Sequence, residues 1–283
     1  MVRHVAVWRL YRIHHCCREL LKRSLTVNTP NLSRPIALVT GAGKRIGRAM
    51  ALALAANGFN IGIHYRNSAG DASDLKKVIE LKGANAEIFR ADLSQEYDTQ
   101  SLIENVNQRL GPVSLLVNSA SVFEDDDLFT MTRKSWDLHI ETNLRAPLKL
   151  SQEFAAQIPA GENNLIVNVT DQRVLKLTPK FLSYSLSKSA LHTLTTILAQ
   201  ALGPQGIRVN AIAPGPTIRN ERQSEDDWKK QNAATILGAG ADPSDICEAL
   251  LYLAKAKSVT GQTIAVDGGQ RLAWRTADAL VKE

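Results

Sequence analysis

A run of aliphatic residues, Ile36-Ala-Leu-Val-Thr40, passes without a spacer into the turn Gly41-Ala-Gly-Lys-Arg-Ile-Gly47, and an apolar helical pattern follows over 48–57. A strand that feeds a helix through glycines constrains this chain more than any other feature, because such a unit returns to a strand parallel to the first. The rhythm continues. Apolar runs at 60–65, 86–90, 113–117, 165–170, 207–211 and 263–266 are each separated by enough chain for a crossover helix. The expectation is one α/β domain over 35–283: a doubly wound, seven-stranded parallel sheet with helices on both faces and ligands at the carboxyl ends of its strands. No repeat, low-complexity tract or Pro/Gly/Ser linker interrupts that stretch.

The turn itself suggests what the ligand is. Gly41 permits a tight turn, Gly43 lets backbone approach a phosphate, and Gly47 lets the helix pack closely on the strand. The N–H groups at the helix start would attract a pyrophosphate, which makes this a Rossmann fold. Arg45 stands where a dinucleotide turn ordinarily has glycine, and with Lys44 it adds two cations next to Ile46. At the end of the second strand, Tyr65-Arg-Asn-Ser68 lacks the acid that would accept from the ribose of NAD. Arg66, with Asn67 and Ser68 as neutral donors, suits a 2′-phosphate, so NADPH is the expected cofactor. The plainer reading of Arg66 is a solvated residue at a strand end.

The net charge of +6 does not point to nucleic acid, since residues 1–34 hold seven Lys and Arg against Glu19 alone, and the remainder balances. A neutral body lacks the electrostatic footprint of a polyanion binder. The basic extension reads either as an organelle transit sequence or as an upstream translation start, with the cytoplasm the default location. The longest charge-free helical stretch, 189–207, contains Thr193, Thr195, Thr196, Gln200 and Pro204 and reads as a buried helix and its exit turn, so no membrane partner is expected. Cys16, Cys17 and Cys247 make no disulfide framework, and His64, His139 and His192 have no metal spacing; no metal is expected.

Tyr184 and Lys188 are four residues apart and so share a helix face. An ammonium beside a phenol stabilises the phenolate and would lower the tyrosine pKa. Taken with the turn, this pair makes the body resemble the short-chain dehydrogenase/reductase family across essentially all of 35–283. The family's other elements follow in order as Asp92-Leu93, Asn118-Ser-Ala-Ser121, Asn143 and Pro214-Gly215. The resemblance implies that Asp92 and Leu93 flank the adenine, and that Asn118, Ser119 and Ala120 support the central strand and adenosine ribose. It implies further that Asn143 anchors a proton-relay water, Lys188 binds the nicotinamide ribose, and Pro214 and Gly215 contact the nicotinamide. Pairing of helices 135–157 and 182–202 across two-fold axes, giving a homodimer or homotetramer, is implied in the same way.

One departure is informative. Where most of that family has a serine thirteen residues before the tyrosine, this chain has Asp171. A carboxylate opposes the alkoxide that forms when a ketone is reduced, whereas a buried, protonated carboxyl could supply a proton to the nitrogen of a C=N bond. Asp171, Arg45 and the loop Asn118-Ser-Ala-Ser-Val-Phe123 are similar to the pteridine reductase and dihydromonapterin or dihydrofolate reductase subgroup. That resemblance implies a pterin or folate stacked on Phe123, with Ser121, Arg45, Asp171 and Tyr184 around it and Asp171 and Tyr184 providing the proton. Segment 217–237 takes the place of the substrate lid. The rival expectations are a carbonyl reductase acting on groups such as 3-oxoacyl chains, and a non-catalytic NADP(H)-sensing module.

Overall fold

The computed structural model describes residues 34–158 and 164–276, and the basic extension lies outside the described residues. Seven strands form: β1 (Ile36–Val39), β2 (Asn60–Tyr65), β3 (Ala86–Arg90), β4 (Val113–Asn118), β5 (Asn164–Val169), β6 (Ile207–Pro214) and β7 (Thr263–Val266). All neighbouring pairs are parallel, in the order β3-β2-β1-β4-β5-β6-β7. β6 runs three residues past the expected end because β7 pairs with Ala211–Pro214. The proline closes the strand, where the absence of an N–H costs least.

The helices are α1 (Arg45–Ala56), α2 (Ala69–Leu81), α3 (Glu96–Leu110), α4 (Arg133–Ile140), α5 (Ala146–Gln157), α6 (Leu182–Leu202), α7 (Glu225–Ala233) and α8 (Pro243–Lys255). The apolar pattern 135–157 is not one α-helix: a π-helical turn, Glu141–Arg145, joins α4 to α5. Such turns leave the hydrophobic periodicity almost unchanged, so a sequence pattern does not reveal them. α1 begins three residues before its apolar pattern, inside the polar stretch of the glycine turn.

Residues along β1 alternate between two cores, as side chains of a strand must. Ala37 and Val39 pack with Met50, Leu54, Leu75, Leu250 and Leu253 on one side of the sheet. Ile36 and Leu38 pack with Leu102, Val106, Leu150, Phe154 and Leu198 on the other. Both faces are thus dry, and the chain can expose ligand-binding groups only at the strand ends. Among the described residues no helix is long and apolar enough to cross a membrane.

At the reversal point of the sheet, between β1 and β4, one side chain ties the strand ends together. The buried Thr40 hydroxyl accepts from the N–H groups of Ser119 and Ala120, both at 2.9 Å, and donates to Val117 O at 3.3 Å. Ser119 N also reaches Val117 O, so Ala120 N depends on the hydroxyl alone. Thr40→Val keeps the volume and strands that donor, and is expected to lower unfolding free energy by about 2 kcal/mol in urea titrations.

Candidate active site

The crevice above β1 and β4 is lined by the expected cofactor residues. Gly41 has φ +66°, and a Cβ there would lie 2.9 Å from Ala120 Cα; a Cβ on Gly47 would lie 2.4 Å from Gly41 O. The turn is therefore closed to side chains. Lys44 precedes α1 with no side-chain cap, and the first turn of α1 carries no acid, which leaves that helix end suited to an anion. Lys44 itself pairs with Asp71 at 3.3 Å. At the end of β2, Arg66 and Asn67 are exposed, Ser68 is half-buried beside Gly43, and Tyr65 and Ile46 pack on the core below. Asp92 accepts from Ser94 at the end of β3, with Leu93 buried next to it. Asn118 donates to Asn168 at 2.8 Å, while its Oδ1 is buried without a partner, an acceptor that a ribose hydroxyl can satisfy. Pro214 ends β6, and Gly215 lies against Asp267 so closely that a Cβ would come within 2.6 Å of its Cα. These features fit NADPH.

Arg45 departs from expectation. It keeps the left-handed backbone of the glycine it replaces, with φ 52°, at a cost of about 1–2 kcal/mol. Its guanidinium points not at the turn but at the lid segment, donating to Ile218 O at 2.8 Å and Arg219 O at 3.0 Å. Those two bonds offset the strain and lash the lid to the phosphate turn.

The catalytic cluster assembles between the β5 end and α6. Tyr184 donates to Asp171 Oδ2 at 2.7 Å. Arg173 donates to the same carboxylate twice, from its backbone N to Oδ1 at 2.8 Å and from Nη1 to Oδ2 at 3.3 Å. Asp171 therefore accepts from three donors, which is the pattern of a charged carboxylate and not of the protonated acid expected from sequence. The expected lowering of the tyrosine pKa is also reversed: burial, then the charge and hydrogen bond of Asp171, hold the Tyr184 phenol well above its ordinary value, with Arg173 opposing. Lys188 is buried, donates to Val169 O at 2.8 Å and lies 5.9 Å from the Tyr184 ring centre. Burial brings its ammonium down to about 8, against the pull of Asp171.

Phe123 meets the edge of the Tyr184 ring at 4.6 Å and stacks on Phe181 at 4.4 Å, so one of its faces is already taken. Phe181 has φ 56° and, with Arg45, is one of two non-glycine described residues with positive φ. Both border the site, where strain of this kind is commonly retained. Asn143 sits in the π-helical turn, fully buried. Its Oδ1 accepts from Val122 N at 2.8 Å and Ser121 Oγ at 3.3 Å, and its Nδ2 donates to Val122 O at 2.9 Å and Ser187 Oγ at 3.1 Å. Its side chain is saturated by the β4 loop and Ser187 of α6, so a water implied at this residue could reach only its backbone.

Several contributors carried no signal in sequence. Asp126, His139 and Ser183, all buried, form one cluster in which Ser183 donates to Asp126 and contacts His139 Nδ1 at 2.7 Å, tying the β4 loop to the start of α6. Arg222, from the lid, bonds Glu124 at 2.7 Å and also the Phe123 carbonyl. Arg173 stands two residues beyond Asp171, and its role shows only in the contacts the fold gives it.

Fold and cluster together define a Rossmann-type oxidoreductase with a tyrosine and lysine at its centre. A family model described as enoyl-(acyl carrier protein) reductase matches residues 41–271. The 3-oxoacyl-(acyl-carrier-protein) reductase of Staphylococcus epidermidis is 34% identical over 237 residues, 82% of this chain and 97% of that protein. The structure of FolM alternative dihydrofolate reductase 1 from Brucella canis, complexed with NADP, is 40% identical with a TM-score of 0.84, covering 89% of this chain and 99% of that one. The angucycline C-6 ketoreductase LanV with bound NADP is 29% identical with a TM-score of 0.79, covering 84% and 96%. The chain belongs to the short-chain dehydrogenase/reductase family.

His64, set aside in the sequence for want of a metal pattern, proves to be part of the cofactor scaffold. Its Nδ1 accepts from Gly41 N at 3.0 Å, so the proton sits on Nε2, which donates to Ala91 O at 3.1 Å. The neutral ring thereby joins the phosphate turn to the end of β3. Burial brings its pKa from 6.5 down to about 4, with the Ala91 carbonyl, Asp92 and Asp98 opposing. The unfolded chain takes up a proton below 6.5 and the folded chain does not, so stability present above that pH is lost as pH falls toward 4. Between about pH 7 and about pH 5 the wild type should lose roughly 2 kcal/mol more than His64→Gln, read from urea midpoints at each pH.

Proposed function

We propose that this NADPH-dependent reductase acts on a ring C=N bond of a dihydropterin or dihydrofolate. The observation that carries the reading is the charged carboxylate of Asp171, 2.7 Å from the Tyr184 hydroxyl, where the family ordinarily has a serine. Reduction of a ketone puts negative charge on oxygen, which a carboxylate at about 4 Å opposes by roughly 4 kcal/mol at an effective dielectric near 20. Reduction of an imine proceeds through a protonated nitrogen, and the same carboxylate then stabilises the positive charge by a similar amount. The cofactor is NADPH; when bound, it supplies a hydride to the carbon of the C=N bond and leaves as NADP⁺, while the nitrogen takes one proton.

That proton is assigned to Tyr184, whose hydroxyl turns from Asp171 Oδ2 to the nitrogen to deliver it. Asp171 orients the phenol, and Arg173 and Lys188 place two cations within the cluster, so loss of the tyrosine proton leaves it near neutrality. Lys188 is positioned to move from Val169 O to a ribose hydroxyl. Phe123 offers its remaining face to the heterocycle, with Ser121 at the polar edge of the loop, and Arg45 and Arg222 hold the lid over it. The 40% identity to the FolM alternative dihydrofolate reductase 1 of Brucella canis supports this reading. The 34% identity to the staphylococcal 3-oxoacyl reductase supports carbonyl reduction instead, and Asp171 in place of the family's serine weighs toward the C=N bond. Exposed Leu186 and Ile197 on α6 support association through that helix.

NADPH oxidation with 7,8-dihydrobiopterin, dihydrofolate and an acetoacetyl thioester tests the assignment. The dihydropterin should be the better substrate, and Asp171→Ser should lower its kcat/KM by at least about tenfold while sparing or raising that of the thioester. The opposite ranking in the wild type assigns carbonyl reduction. Arg66→Ala should weaken NADPH binding by about tenfold and leave NADH binding unchanged, in fluorescence titrations.

A further inference from the structure

We infer that Arg173 is the positioning residue that sets the reaction preference of this site, by holding Asp171 as a charged acceptor beside Tyr184. The inference rests on the C=N reading given above and deepens it.

Arg173 meets three residues of the cluster, Asp171, Phe123 and Phe181. It is the middle residue of the short 3-10 turn after β5, and its backbone N and Nη1 occupy one carboxylate oxygen each. Oδ2 also accepts the Tyr184 hydroxyl, so Asp171 accepts from three donors, two of them on the oxygen that faces the phenol. Its guanidinium carbon lies 5.4 Å from the Phe123 ring centre and 5.2 Å from that of Phe181, within cation–π range of both stacked rings. The arginine and aspartate side chains are only 20% and 15% exposed, so solvent screens the pair weakly. One feature is left over: Nε is buried with no acceptor in the protein. A buried donor without a partner is costly, so the guanidinium is held in this place by its other contacts and not by Nε.

A structural ion pair would serve as well with many geometries. This one orients the carboxylate so that Oδ2 faces the phenol, and it supplies a positive charge that opposes the rise of the Tyr184 pKa. Without the guanidinium, Asp171 keeps the backbone N–H but loses its cation. Its Oδ2 is then no longer fixed against the phenol by the guanidinium, so the carboxylate can turn away and cease to oppose charge on a carbonyl oxygen. The preference of the pocket should move from C=N toward C=O.

The test compares wild type, R173M and R173K, measuring kcat and KM with 7,8-dihydrobiopterin and with an acetoacetyl thioester, together with NADPH affinity by fluorescence. R173M should bind NADPH within about twofold of wild type, because the guanidinium does not line the phosphate turn. Its kcat for the dihydropterin should fall by about 30-fold while that for the thioester holds or rises, so the ratio of the two drops by at least about tenfold. R173K, which keeps the charge, should recover most of the wild-type ratio. An equal fall in both activities, or an unchanged ratio, overturns the role, since a purely structural residue moves both together. If R173M fails to bind NADPH, R173Q and R173K decide: both keep a donor and differ in charge, so a ratio kept by Lys and lost by Gln supports the role and an equal ratio overturns it. A wild type inactive on the dihydropterin overturns the C=N reading and this role with it. A wild type active on it, with an unaltered ratio in the variants, overturns the role of Arg173 alone.

Discussion

The Thr40 hydroxyl, accepting the N–H groups of Ser119 and Ala120, holds together the two loops between which the sheet reverses direction. Everything at the carboxyl end of the sheet depends on that tie. With both faces covered by helices, the strand ends are the one place where this fold can present unpaired polar groups. The β4 loop that Thr40 anchors goes on to carry Ser121 and Phe123, and Asn143 and the Asp126–His139–Ser183 cluster hold it from the other side. His64 extends the same tie toward β3 by bridging Gly41 and Ala91. The glycine turn, the end of β3 and the β4 loop thus form one hydrogen-bonded frame.

Within that frame the electrostatics are arranged around the carboxylate of Asp171. Asp171 raises the Tyr184 pKa, as burial also does, and Arg173 works against both. A cluster holding one carboxylate and two cations is poised to give up a proton without accumulating negative charge. Strain is confined to its borders. Arg45 and Phe181 both hold positive φ, the first bonded to the lid backbone and the second stacked on Phe123. In each case the side chain makes a contact that glycine, the residue suited to that backbone, could not make.

The architecture was legible from residues 36–266 because parallel strands buried on both faces read as short, nearly continuous apolar runs. Six of the seven strands lie within a residue of the expected bounds, and β6 ran longer because its pairing partner did. The family was legible because fixed spacings such as that of Tyr184 and Lys188, on one face of α6, are recognisable in sequence. Arg173, His64, Phe181 and the π-helical turn were not. Each depends on a partner distant in sequence or on a backbone angle, and neither leaves a periodic trace.

By itself the sequence determined the sheet, the order of its strands' contents, the glycine turn and the substitution of serine by Asp171. Only the tertiary structure decided the state of those groups. It turned Arg45 from the phosphates to the lid, and made Asp171 an acceptor instead of an acid. It also raised a tyrosine pKa that the nearby lysine was expected to lower. The reason is that composition and spacing specify which groups meet, while ionisation follows from burial and from the direction of each hydrogen bond, and these exist only once the chain has closed around them.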